Sequence, residues 1–197
     1  MKRMLRSLAS LALVVFALPA FAQEIPLSNV SQYLNGLTTA EATFTQKNAD
    51  GSVSSGTLYI HRPGRMRFEY DPPNKSLVIA GNNSVAIFDP KSNQPPEQYP
   101  LARTPLAMLL APQITLSGPV TVTAFQHLPG ELRVTIVDTK HPGQGSLTLT
   151  FQDNPIALRD VRMVDARGNT NRLMLRTVQT GITPPPGLFR LSSNVAS

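Results

Sequence analysis

From residue 40 onward, apolar and polar side chains alternate in short runs, and turn residues break the runs every few positions. A strand sends successive side chains to opposite faces, so each run reads as a strand with one buried and one wetted face. Ala40, Ala42 and Phe44 fall together, as do Leu58 with Ile60, and Met66 with Phe68 and Tyr70. Later Val120, Val122 and Ala124 repeat the pattern, then Leu147, Leu149 and Phe151. Asp50-Gly51, Pro63-Gly64, Gly81-Asn82-Asn83, Pro129-Gly130 and Arg167-Gly168-Asn169 separate the runs. Counting runs between turns gives about eleven short strands, and the short turns imply antiparallel neighbours. A single sheet that wide must curl or close. The expected fold class is therefore mainly β, a strongly curved antiparallel sheet or barrel with few helices.

Three features depart from the alternation. Ile25, Leu27, Val30, Tyr33, Leu34 and Leu37 recur at helical spacing, predicting a helix from Leu27 to Gly36 with Ser28 available as its N-cap. Thr104 to Pro112 reads as a short helix, with threonine as cap, proline at the first helical position and apolar residues on every side. Such a helix cannot lie open to water. It either plugs the curl as ordinary core or covers an apolar cavity and moves. The third feature is Arg62. It continues the apolar stripe of Leu58 and Ile60, so a guanidinium sits where a greasy side chain belongs. At a strand end it would snorkel to water.

The first residues are read apart from the fold. Lys2, Arg3 and Arg6 precede an apolar run from Leu8 to Leu18, and Ala20-Phe21-Ala22 is a small-x-small cleavage signature. This is the layout of a secretory signal peptide over residues 1–22, with one domain over residues 23–197. The expected compartment is the bacterial periplasm. With no cysteine anywhere, burial and hydrogen bonds must hold the exported fold, and no lipid-bearing cysteine follows the apolar run. The formal charge of +6 includes the three leader cations, which leaves the remainder mildly basic. Arg62-x-x-Arg65-x-Arg67 and Arg159-x-x-Arg162 are the densest basic groups, both in strand-like alternation. Nucleic-acid binding would want a broader patch with stacking aromatics, so no nucleic-acid partner is expected.

Signals for catalysis are weak. His61, His127 and His141 lie far apart without metal-ligand spacing, and no metal or cofactor is expected. Gly51 to Gly56 is rich in glycine and serine but lacks the nucleophile-elbow spacing. Asp71, Asp89, Asp138 and Asp153 flank turns, where aspartate bonds the backbone. The chain is not expected to be an enzyme, and no residue is assigned a catalytic role.

Five stretches in order resemble the periplasmic outer-membrane lipoprotein carriers of the LolA type. They are "ATFTQ" at 42–46, "SGTLYIHRPGRMRFEYDPP" at 55–73, "LVIAGNNSVAIFDP" at 77–90, "TPLAMLLA" at 104–111 and "GLFRL" at 187–191. In this comparison the fourth corresponds to a lid helix and the fifth to a final strand. The resemblance implies an incomplete antiparallel β-barrel of about eleven strands, with short helices forming a lid over an apolar cavity. It implies a carrier that takes lipoprotein acyl chains from an inner-membrane ABC-type releasing complex and hands them to an outer-membrane receptor, working as a monomer. It places Leu58, Ile60, Met66, Phe68, Met108 and Leu109 near the cavity. It makes Arg62 a latch whose guanidinium bonds lid carbonyls and holds the unloaded carrier shut. The absence of tryptophan, which many members carry near Phe68 and in the next hairpin, leaves room for a cavity of different shape and a different lipid. A lipid-sensing or regulatory module on the same fold is the alternative.

Overall fold

The computed structural model describes residues 25–92 and 94–191. The expected leader over 1–22 lies outside the described residues. Helix α1 spans Leu27–Gly36. Eleven strands follow: β1 Thr39–Lys47, β2 Val53–His61, β3 Arg65–Tyr70, β4 Leu77–Gly81, β5 Ser84–Phe88, β6 Glu97–Pro100, β7 Val120–Leu128, β8 Glu131–Asp138, β9 Gly145–Gln152, β10 Ala157–Asp165 and β11 Thr170–Thr180. A 3-10 turn at Leu101–Arg103 and the one-turn helix α2, Leu106–Leu109, lie between β6 and β7.

All eleven strands form one antiparallel sheet in the order β6-β5-β4-β3-β2-β1-β11-β10-β9-β8-β7. Each half of the chain is a meander, and the halves join where β1 pairs with β11. The sheet does not close, because β6 and β7 at its two ends are not paired with each other. These edge strands are consecutive in sequence. The connection from one edge to the other, residues 101–119, therefore runs across the curl and carries α2.

The alternation predicted from sequence is visible in burial. Leu58 and Ile60 on β2 face inward beside Ala42 and Ala40 of β1 and Phe68 and Met66 of β3. On the second half, Leu132, Val134 and Ile136 of β8 pack with Leu147, Leu149 and Phe151 of β9, all nearly inaccessible. Helix α1 closes this side through Val30 and Leu34, and the Tyr33 ring meets Phe151 edge-on at 5.7 Å. The register of β9 on β10 shifts between Leu158 and Asp160, and the Leu158 N–H donates to the Tyr33 hydroxyl at 3.0 Å. A bulge thus finds its hydrogen-bond partner on the helix.

Three local expectations need correction. Pro26, not Ser28, occupies the N-cap position of α1, and no side chain caps the helix. The apolar segment after residue 104 forms only the four helical residues of α2. Thr104 does not cap it, because its hydroxyl donates to the Leu101 carbonyl at 2.8 Å. Residues 187–191 are not a strand. Pro184, Pro185 and Pro186 lack the N–H groups that a ladder requires, and the chain turns there through Leu188 N–H to Pro185 O and Arg190 N–H to Gly187 O. This turn rests on the outward face of the first half. Arg67 Nη1 donates to Leu188 O at 3.0 Å, and the Phe189 ring meets the His61 ring at 5.9 Å.

Gly56 carries the tightest backbone approach in the first half. It pairs with Phe44 on one side and Tyr70 on the other. The Phe44 ring packs edge-on against Phe68 at 5.6 Å and Tyr70 at 5.3 Å. A Cβ at position 56 would lie 2.0 Å from the Glu69 carbonyl oxygen and 2.9 Å from the tip of the Phe44 ring. Both the strand spacing and the aromatic cluster therefore require glycine. Gly56→Ala is expected to destabilise the fold by more than about 2 kcal/mol, measured by urea unfolding. An unchanged midpoint would show that β3 moves aside freely.

Candidate functional site

The site is built where β2 ends. Phase alone directs Arg62 inward, following Leu58 and Ile60, and only 8 % of the residue is exposed. Its backbone is held by a bond from Arg62 N–H to Thr38 O at 2.8 Å, and Gly64 N–H donates to Leu110 O at 2.9 Å. The turn after β2 is thereby tied both to the start of β1 and to the end of α2.

The guanidinium spends its donors on carbonyls from two segments. Nε donates to Ala111 O at 3.1 Å, and Nη2 donates to Ala111 O at 2.9 Å and Pro112 O at 3.3 Å. Nη1 donates to Leu34 O in the last turn of α1. Carbonyls in the loop just past a helix have no intrahelical partner, so Ala111 O and Pro112 O are acceptors in need of a donor, while Leu34 O also accepts from Leu37 N–H at 3.3 Å. Nη2 also approaches Asn35 Oδ1 at 3.4 Å. Among the described residues no carboxylate pairs with Arg62. Burial pulls its pKa below the ordinary guanidinium value, but an arginine remains charged at neutral pH. A buried, unpaired cation must be hydrogen-bonded to be tolerated, and here backbone carbonyls supply most of that bonding, with the Asn35 side chain adding to it.

Asn35 completes the junction. Its Nδ2 donates to Ile114 O at 2.8 Å and to Ser31 O at 2.9 Å, while its Oδ1 accepts from Ile114 N–H at 2.8 Å. One side chain thus matches both backbone groups of Ile114, as a strand neighbour would. Residues 110–114 are sewn to β2 and α1 by Arg62 and Asn35 together. The sequence carries no signal for Asn35, because an asparagine before a glycine at a helix end reads as an ordinary terminus.

An apolar cavity of about 50 Å³ lies under α2. Leu58, Ile60, Met66 and Phe68 of β2 and β3 form one wall, Leu158, Val161, Leu173 and Leu175 of the second half another, and Leu106 and Leu109 of α2 roof it. Gln46 and Asn171 are the polar residues of its wall, and Gln46 Oε1 accepts from the Tyr70 hydroxyl at 2.8 Å. A smaller void of about 20 Å³ shares Ile60, Met66, Leu109 and Leu158 with it and reaches Arg62 and Ile114. The guanidinium thus stands at one end of the hollow. Met108 does not line the cavity. It points to the opposite side of α2, buried near Ile114 and Val120, because neighbouring residues of one helical turn project about 100° apart. The hollow has space for only a few water-sized groups.

The three histidines remain apart: His61 packs on Phe189, His127 on Phe125 at 4.7 Å, and His141 lies 3.4 Å from Asp138.

Comparison with known proteins agrees with this architecture. Residues 35–192 match the family model described as outer membrane lipoprotein carrier protein LolA. An outer-membrane lipoprotein carrier protein of Methylococcus capsulatus is 26 % identical over 195 residues, covering 95 % of this chain and 93 % of that one. Another, from Azotobacter vinelandii, is 28 % identical over 174 residues, covering 83 % of each. Among solved structures, a DUF1329 family protein of Desulfovibrio piger superposes with a TM-score of 0.52 at 8 % identity, over 84 % of this chain and 95 % of that chain. That likeness concerns the fold alone.

Asn35→Ala removes the partner of both Ile114 backbone groups. Orphaned buried groups of this kind cost about 1–3 kcal/mol. The variant should unfold at lower urea concentration, and amide exchange at Ile114 should accelerate more than exchange in β8 and β9. Unchanged protection at Ile114 would mean that the loop is held by other contacts.

Proposed function

This chain belongs to the LolA family of outer membrane lipoprotein carriers, and we propose that it shields the acyl chains of lipoproteins as they cross the periplasm. In this reading it takes them from an inner-membrane ABC-type releasing complex, works as a monomer, and passes them to an outer-membrane receptor. The family places it among carriers and not among enzymes. The observation that carries the finer reading is the buried Arg62, charged and without a carboxylate partner among the described residues, spending its donors on the connection that roofs an apolar hollow.

The mechanism follows from two opposed energies. Acyl chains gain about 0.8 kcal/mol for each methylene taken out of water, so cargo favours whatever state exposes the inner faces of β2, β3 and α2. Leu58, Ile60, Met66, Phe68 and Leu109 supply that surface, and Met66 adapts to chains of varied shape. Opening separates residues 110–114 from Arg62 and Asn35, and hydrogen bonds to a charged donor contribute about 1.5–3 kcal/mol each. The closed state therefore subtracts from the cargo's affinity. A carrier needs that subtraction, because a fully enclosed hydrocarbon would not be released on a useful timescale. In this scheme Arg62 is a latch that keeps binding loose enough for transfer.

The latch has a clear test. Arg62→Leu substitutes a shorter apolar side chain and removes the guanidinium donor from the carbonyls of Leu34, Ala111 and Pro112. The closed state weakens, so the variant should hold a released lipoprotein at least about tenfold more tightly and fail to pass it on. Retention in soluble form and transfer to outer-membrane fractions are both measured. Normal onward transfer by the variant would remove the latch, and failure of the wild-type chain to keep a lipoprotein soluble would remove the carrier.

A further inference from the structure

The outward face of the sheet carries, across the junction of its two halves, a row of cations that the carrier reading does not use. In the sheet register Arg162 of β10 sits directly opposite Arg172 of β11, and Arg172 sits directly opposite Lys47 of β1. Three like charges thus stand side by side on three successive strands. Like charges placed directly opposite each other destabilise a sheet. On one side the row continues through Thr148 and Thr135, whose hydroxyls lie 3.0 Å apart. On the other it ends at Val53, which is 66 % exposed.

A cleft of about 670 Å³ lies over this row. Lys47, Arg133, Arg162 and Arg172 line it with Thr148, Thr150 and Thr170, and the turns at Asn48–Gly51 and Gly168–Asn169 wall it. Its one lining carboxylate, Asp160, is engaged by Arg172 Nε at 2.6 Å. Arg133 Nη2 contacts Glu131 at 2.5 Å. The nearby Asp50 and Asp165 are turned onto their own turns, accepting from Ser52, and from Arg167 and Asn169. Lys47 and Arg162 have no ion-pair partner among the described residues.

We propose that this cleft binds the phosphate group of an anionic phospholipid head, seating the carrier's outward face on a membrane surface. Guanidinium forks and hydroxyls on a concave wall suit the several oxygens of a phosphate. Each cation near an anionic bilayer contributes to attraction that salt screens. Exposed Val53 at the end of the row gives the rim an apolar contact for the interface, which a free ion in water would not need. The inference does not depend on acyl-chain carriage, because none of these side chains lines the cavity under α2.

The test uses the full chain with vesicles of phosphatidylglycerol or of phosphatidylcholine, read by flotation. The protein should float with the first and not with the second, and high salt should release it. The double variant Lys47→Gln with Arg162→Gln removes two exposed cations without touching Asp160 or Glu131. It should weaken vesicle binding by about tenfold or more, while its thermal midpoint stays level or rises as repulsion is relieved. Equal binding to both lipids, undiminished binding by the variant, or a lowered midpoint would overturn the proposal. Complete displacement by millimolar inorganic phosphate would assign the cleft to the free ion, and capture of poly-glutamate without vesicle binding would assign it to an acidic peptide. Either result overturns the head-group assignment and leaves the carrier reading standing.

Discussion

The arrangement turns on one charged group buried among backbone carbonyls. Arg62 cannot leave its charge, and it has no carboxylate beside it among the described residues, so its stability in the interior rests on Leu34, Ala111 and Pro112 holding their carbonyls toward it. Removing any of these acceptors leaves a donor of a buried cation unsatisfied, which is far more costly than loss of a neutral bond. Arg62 thereby ties α1, β2 and the connection after α2 to one another at a single side chain.

Topology explains why this junction sits where it does. An eleven-stranded antiparallel sheet that does not close leaves two edges, and in this chain the edges β6 and β7 are successive strands. The link between them has to span the open side of the curl. Its apolar residues Leu106 and Leu109 face the hollow over the inner sheet, while Met108 is buried on the other side of α2 near Ile114 and Val120. The same link cannot form a long helix, since Pro105 and Pro112 bracket the few residues available. A short, proline-bounded segment makes few internal bonds, so its position depends on side chains reaching up from the sheet and α1.

Much of the fold is legible in the residues. The alternation around Leu58, Ile60, Met66 and Phe68, and again through Leu147, Leu149 and Phe151, predicts both the strands and their inward faces. Asn82 and Asn83, both at positive φ, close the β4–β5 hairpin as their residue type suggests. What misled was local grammar that tertiary context overrode. Ser28 and Thr104 look like caps, but Pro26 starts α1 and Thr104 turns back to Leu101. The "GLFRL" stretch looks like a strand, but three prolines before it remove the donors a ladder needs. Met108 and Leu109 are equivalent in composition, and only the rotation of α2 separates the one that faces the hollow from the one that faces away.

By itself, the sequence determined the elements, the faces of the strands and the anomaly of an arginine in an apolar stripe, because these depend on periodicities of two and 3.6 residues that act over a few positions. Only the tertiary structure decided which carbonyls that arginine meets, that Asn35 joins it, and that Lys47, Arg162 and Arg172 form a row. Those groups lie far apart along the chain and become neighbours through strand order and register. Register emerges from packing the whole sheet at once, and no short stretch of residues contains it.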